Sequence, residues 1–284
     1  MVRKETEGVF RLERDWIEHR GPNGERYFTS ALLDGVGVKH MFATRIGGVS
    51  EGVFGGWNFA AGAADVRDSE ENVRENYARA AAIFGLQASD VCRTYQAHTS
   101  LVKTVGEEER GVGITKPKFS FGVDGLVTAT PDLLLSVRSA DCVPILFADP
   151  ERRLCGAVHA GWKGTSAGIA RNAVEELCRN GSCPESIYVA IGPCIGSCCY
   201  EVGKDVFDAF CELDAALSAC FTPHGEGKYM LDLTEANRRI LQSAGVKDER
   251  ISAAYRCTRC DEVRFFSHRR MGAVRGTMSA FIMV

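Results

Sequence analysis

The chain has 284 residues, 45% of them hydrophobic and 25% charged, enough to bury a core of ordinary globular size. Its 34 basic side chains stand against 37 acidic ones, for a formal net charge of -3. No overall positive field is therefore present to hold a nucleic-acid backbone or an anionic membrane, and any bound anion must be met by local arginines.

The opening MVRKETEGVFRLERDW is charged throughout and lacks an apolar signal segment, and no apolar stretch is long enough to span a bilayer, so the sequence reads as cytoplasmic. Residues 26–43 suggest two short strands about a Gly-rich turn, followed by the glycine-dense loop TRIGGVSEGVFGG. Asp68 and Ser69 then precede a helix over 71–85, with Val73, Tyr77, Ala80, Ala81 and Phe84 on one face and Gly85 ending it. RTYQAHTSLVKTV and VDGLVTA read as half-buried strands on either side of a polar loop from Gly106 to Lys118. LLLSVRS, VPILFAD and RRLCGAVHA are further strands, the first two separated by the short ADC turn.

After His159, GWKG leads into a helix over 165–181 whose apolar face is Ile169, Ala173, Val174 and Leu177. SIYVAIG reads as a strand, CYEVGKDVFDAFCEL as a helix, and DLTEANRRILQSAGV as a helix capped by Asp232 or Thr234. RFFSHRR and TMSAFIMV close the chain as strands. No repeat or linker marks a boundary, so the pattern predicts one α+β domain, with mixed sheets packed between helices.

Twelve cysteines in a chain of this kind read as thiols, metal ligands or nucleophiles. Cys92, Cys155, Cys178, Cys211 and Cys220 occupy apolar or helical settings where a thiol is a small hydrophobe. Cys194, Cys198 and Cys199, with the CxxC of Cys257 and Cys260, hint at a second, structural zinc. Three other residues stand at turns or strand ends: His98 in YQAHTS, Cys142 in SADC and His159 in VHAGW. They suit a zinc site with an open position, a Cys142 nucleophile with His159 as its base, or a buried thiol beside two hydrogen-bonded imidazoles.

TRIGGVSEG, YQAHTSLV, VDGLVTATPDLLLSVRSADCVPILFADP, AVHAGWKGT, AIGPCIGSCCYEVG, LDLTEANRRILQSAGV and FFSHRR appear in the order of the YfiH, or laccase-domain, family, which the chain resembles from about residue 36 onward. It differs in Lys163, where arginine is common, and in His268, where an aromatic residue is common. The resemblance implies a zinc-dependent purine nucleoside phosphorylase acting on adenosine, inosine, guanosine and methylthioadenosine, with adenosine deaminase activity at the same site. It also implies that His98, Cys142 and His159 hold one zinc, with phosphate as co-substrate. Two other names attach to the family, a copper-dependent polyphenol oxidase and a peptidoglycan-precursor editing factor. Six histidines are too few for a set of blue and trinuclear copper centres, which ranks copper low.

Phosphorolysis needs an anion held near the ribose. Arg45, set in the glycine-rich TRIGG loop, is the residue chosen for catalysis and substrate binding, because flanking glycines let backbone approach a ligand. Asn58 is a candidate ribose contact. Asp124 and Asp141 are candidates either to orient an imidazole or to cap a turn, and Arg269 and Arg270 are adjacent, so at most one faces a given side of a strand. The rival readings are a cysteine hydrolase acting on amide bonds in cell-wall precursors and a non-catalytic zinc-holding partner of a cell-wall complex. The expected partners are small nucleosides and phosphate, without nucleic acid or membrane.

Overall fold

The computed structural model describes residues 15–62 and 65–284. The chain opens with β1 (Trp16–Arg20) and β2 (Arg26–Ser30), paired antiparallel, then a single helical turn α1 (Ala31–Asp34) before β3 (His40–Ala43). Helix α2 (Glu70–Ile83) starts where Ser69 Oγ accepts the Asn72 amide hydrogen at 3.0 Å, with Glu70 and Glu71 favourably placed in the first turn.

The strands β4 (Val91–Arg93), β5 (Val102–Thr104), β6 (Gly125–Thr128), β7 (Leu134–Ser139), β8 (Val143–Asp149) and β9 (Leu154–Ala160) follow. Next come α3 (Trp162–Ser166), α4 (Ile169–Arg179), β10 (Tyr188–Ile191), β11 (Glu201–Gly203) and α5 (Lys204–Leu213). The last elements are β12 (Phe221–Pro223), β13 (Lys228–Leu231), α6 (Leu233–Ser243), β14 (Ile251–Ala253), α7 (His268–Met271) and β15 (Met278–Ile282).

Two six-stranded sheets dominate, in the orders β1-β2-β3-β15-β7-β4 and β14-β10-β8-β9-β6-β5. Each is antiparallel through its middle; the first is parallel at the edge where β4 joins β7, the second at both edges, where β5 joins β6 and where β14 joins β10. A small third sheet, β11-β13-β12, stacks Tyr229 of β13 on Phe207 of α5, with ring centroids 4.5 Å apart.

Strand alternation explains the layering, since successive side chains point to opposite faces. In β8, Leu146 and Ala148 face the other sheet, where they join Leu135, Val137, Ala280 and Ile282. Ile145 and Phe147 face the opposite way and meet Ile169, Val174 and Leu177 of α4 together with Ile240 of α6. On the outer side of the first sheet, Phe281 of β15 and Leu134 of β7 pack on Val73, Tyr77 and Ala80 of α2. The result is a helix, sheet, sheet, helix sandwich of the expected α+β class. Among the described residues no helix is long and apolar enough to cross a membrane.

Several elements depart from the sequence pattern. RTYQAHTSLVKTV is not continuous, because His98 takes φ 58 and breaks it into β4 and β5, which lie in different sheets. The helix over 165–181 is two helices, divided where Gly168 takes φ 78. The segment 199–213 begins as β11 before it turns helical. RFFSHRR is not a strand: consecutive Phe265 and Phe266 are both buried, and Ser267 Oγ caps the short α7 by accepting from the Arg270 amide. Of the two candidate caps of α6, Asp232 is the one that accepts from Glu235 N, at 2.9 Å.

Candidate functional site

The site forms where the two large sheets exchange chain. Cys142 ends the turn that carries the chain from β7 in the first sheet to β8 in the second. That turn holds Asp141 at φ 95, an unfavourable conformation for a residue with a Cβ. Three bonds to the Asp141 carboxylate secure it: Thr258 Oγ1 donates at 2.6 Å, Ser267 Oγ at 3.1 Å and the Arg269 amide at 2.6 Å. Asp141 thus ties loops together and receives no bond from either imidazole.

Asp124 takes the orienting role. Its carboxylate accepts the backbone amides of Ala97, His98 and Thr99 at 2.9, 3.1 and 2.9 Å, which fixes the loop that presents His98. The same carboxylate accepts from His159 Nδ1 at 2.8 Å, so Nε2 of that ring is the nitrogen left to bind a metal or accept a proton. His159, buried in β9, and His98 meet with ring centroids 4.9 Å apart, inclined at 62°.

The ligand atoms of His98, Cys142 and His159 all lie within 4.8 Å of one another. Gly161, just after β9, leaves the space this requires: a Cβ there would stand 2.8 Å from His98 Nδ1 and 3.0 Å from Cys142 Sγ. Two imidazoles and one thiol suit zinc, and three protein donors leave a coordination position for a reactant. The same atoms also form a thiol, imidazole and carboxylate series of the kind that activates a cysteine.

Electrostatics reinforce the arrangement. Burial would raise the Asp124 carboxyl, but the His159 bond and the amides of Ala97 and Thr99 hold it down to about 2. Burial would lower His159, yet the neighbouring Cys142 and the Asp124 bond carry it up to about 9. His98 is held below its ordinary value by burial and by the adjacent His159.

These three residues open into a cleft of about 780 Å³ whose wall is rich in positive charge, including Arg93, Arg138, Arg275, Lys116 and Lys118. Among the described residues, the buried Nε atoms of Arg93, Arg138 and Arg275 have no hydrogen-bond partner. Burial above all, and then the neighbouring charge of Arg93, pulls Arg138 down to about 10.

Arg45 and Asn58 do not line this cleft. Arg45 lies 4.4 Å over the Phe266 ring and donates to the carbonyls of Glu262 at 3.4 Å and Gly55 at 3.3 Å. The glycines around it serve the loop itself: a Cβ on Gly56 would lie 1.9 Å from the Arg45 carbonyl oxygen. The Asn58 amide is spent on Asp68 and the Ala60 carbonyl, both at 2.7 Å, while its oxygen accepts from Thr277 N at 2.9 Å. Arg269 and Arg270 likewise donate to backbone carbonyls, of Glu201 and Phe265 respectively.

The arginines that do line the cleft escape a reading by motif, since each comes from a different segment. The available signal was a charge inside the apolar run LLLSVRS, at Arg138.

The family model described as multi-copper polyphenol oxidoreductase laccase matches residues 39–284. A Deinococcus radiodurans protein named purine nucleoside phosphorylase is 42% identical over 245 residues, covering 86% of this chain and 88% of its own. A protein named adenosine deaminase RL5, from an unknown prokaryotic organism, is 37% identical over 194 residues, 68% of this chain and 74% of its own. The crystal structure of Bacillus licheniformis protein YfiH superimposes with a TM-score of 0.84 at 37% identity, covering 91% of this chain and 96% of that one. Because the family model covers most of the chain and includes His98, Cys142 and His159, the chain belongs to the multi-copper polyphenol oxidoreductase laccase family, the YfiH-like family that its motifs resemble.

Proposed function

We propose that this chain is a metal-dependent purine nucleoside phosphorylase that also deaminates adenosine. One observation carries the reading: a cleft with three arginines whose Nε groups lack partners abuts a cluster of two imidazoles and a thiol. Such arginines are costly to bury unless an anion completes them. The names of the relatives described above point to the same chemistry.

In phosphorolysis a phosphate oxygen forms a bond to C1′ as the glycosidic C–N bond breaks and its electron pair leaves with the purine. Arg93, Arg138 and Arg275 are suited to hold that phosphate. Zinc, held by His98, Cys142 and His159, would supply Lewis-acid charge to the cleft. Asp124 keeps the His159 tautomer fixed, with the proton on Nδ1. In deamination a water oxygen bonds to purine C6 as the C6–N bond breaks, one water proton leaving on ammonia and the other staying on the purine, and no phosphate is needed. The copper reading is weaker, since this donor set has one sulfur and two imidazoles in place of several histidine-rich centres.

The test is product analysis on adenosine, inosine, guanosine and methylthioadenosine, with and without phosphate. Ribose 1-phosphate and free base should require phosphate, while inosine should form from adenosine without it. No base release by zinc-replete protein in phosphate would refute the proposal. Arg275→Ala should raise the KM for phosphate about 10- to 100-fold, the loss expected for a charged hydrogen bond of about 1.5–3 kcal/mol, and affect deamination less. Equal loss of both would move Arg275 to the nucleoside.

The bond from His159 to Asp124 also favours a second reading, Cys142 as nucleophile of a hydrolase. Metal content decides between them, since a thiolate bound to zinc is not free to attack.

A further inference from the structure

Four cysteines outside the cleft have no part in the reading above. Cys198 and Cys199 follow β10 in the loop before β11, and Cys257 and Cys260 lie in the loop between β14 and α7. The sequence separates the pairs by more than fifty residues, yet all four sulfurs lie within 4.8 Å of one another. Cys260 Sγ is 3.4 Å from Cys199 Sγ and 3.6 Å from Cys198 Sγ. Four sulfurs around a tetrahedral zinc, with bonds of about 2.3 Å, stand about 3.8 Å apart.

The surroundings suit thiolates. The Gly196 amide points at Cys257 Sγ at 3.3 Å, and Arg259 Nη1 donates to Cys199 Sγ at 3.3 Å. A tetrathiolate zinc carries a net double negative charge, which such donors offset. Cys194, next to this cluster by its backbone pairing with Cys257, turns its sulfur to Thr234 Oγ1 at 3.1 Å and stands apart from the four.

We propose that Cys198, Cys199, Cys257 and Cys260 form a second metal site, a structural four-thiolate zinc centre that clips the loop before β11 to the loop before α7. All four donors are protein thiols, so the coordination shell is closed and the centre is structural. It bears on the cleft indirectly: Thr258, between two of the ligands, donates to the Asp141 carboxylate beside Cys142.

The test counts zinc in the full-length chain, by elemental analysis, for wild type, Cys260→Ser and Cys142→Ser. Two zinc ions per chain are expected in wild type and one in each variant. A zinc that Cys260→Ser removes and Cys142→Ser retains supports the four-thiolate site even if the proposed function fails. Zinc content unchanged by Cys260→Ser overturns it. So does a native mass two hydrogens short, with a bridge mapped between Cys260 and Cys198 or Cys199. If Cys260→Ser does not fold, zinc-edge X-ray absorption of the wild-type chain decides: more than one sulfur per zinc on average supports the site, and one or fewer overturns it.

Discussion

Asp124 accepts five hydrogen bonds, from the amides of Ala97, His98 and Thr99, the Thr99 hydroxyl and the His159 ring. Asp124→Asn removes the charge that fixes the His159 tautomer and weakens the loop carrying His98. Metal affinity should fall about 10- to 100-fold, as for other partners of a ligand imidazole, measured by competition with a chelator. An unchanged affinity would remove Asp124 from the metal's support. The His159 proton sets a second expectation. Its pKa is raised from 6.5 to about 9, so a metal must displace that proton at neutral pH. Apparent zinc affinity should therefore rise with pH up to about 9. In the metal-free protein the trend reverses: this proton's stabilisation is fully present below 6.5 and fades as pH climbs through about 9. Urea midpoints of metal-free protein across that range check it. The clustering of His98, Cys142 and His159 was legible because such side chains stand out at turns and strand ends. Arg93, Arg138 and Arg275 were not, because a buried Nε without a partner is a fact of three-dimensional neighbours and leaves no mark on spacing.

At the scale of the element, the turn after β9 is where geometry is tightest. Gly161 has φ -75 and ψ 171, which any residue adopts, so Gly161→Ala leaves the backbone unstrained while its methyl group crowds His98 and Cys142. Zinc content should drop while the metal-free chain keeps its melting temperature. Loss of both together would mean that the turn is needed for folding. Strands β7 and β8 were legible as nearly continuous apolar runs, because LLLSVRS and VPILFAD each have two faces to bury. The broken elements were not. His98 and Gly168 interrupt favourable runs through positive φ, which tertiary bonds impose at His98 and which local propensity underestimates.

For the molecule as a whole, two sheets with helices outside them bury three clusters of side chains, and the sequence pattern carried this class without the strand order. Order depends on pairings between distant segments, and alternation is blind to them. Phe281 shows how much one such pairing supports: it is 0% exposed and packs against Phe59, Tyr77 and Phe84, with centroids 5.4, 6.0 and 6.5 Å away. Phe281→Ala should cost about 3–5 kcal/mol, seen as a lower urea midpoint at unchanged slope. A loss below about 1 kcal/mol would mean the cavity collapses. The placing of β15 between β3 and β7 also has a temporal meaning. As the ribosome extends the chain from its N-terminus, β3 can join β2 and β7 can join β4, but the facing edge of each has no partner until β15 follows. Those two edges stay open until β15 emerges, and open strand edges in a nascent chain are what a chaperone shelters.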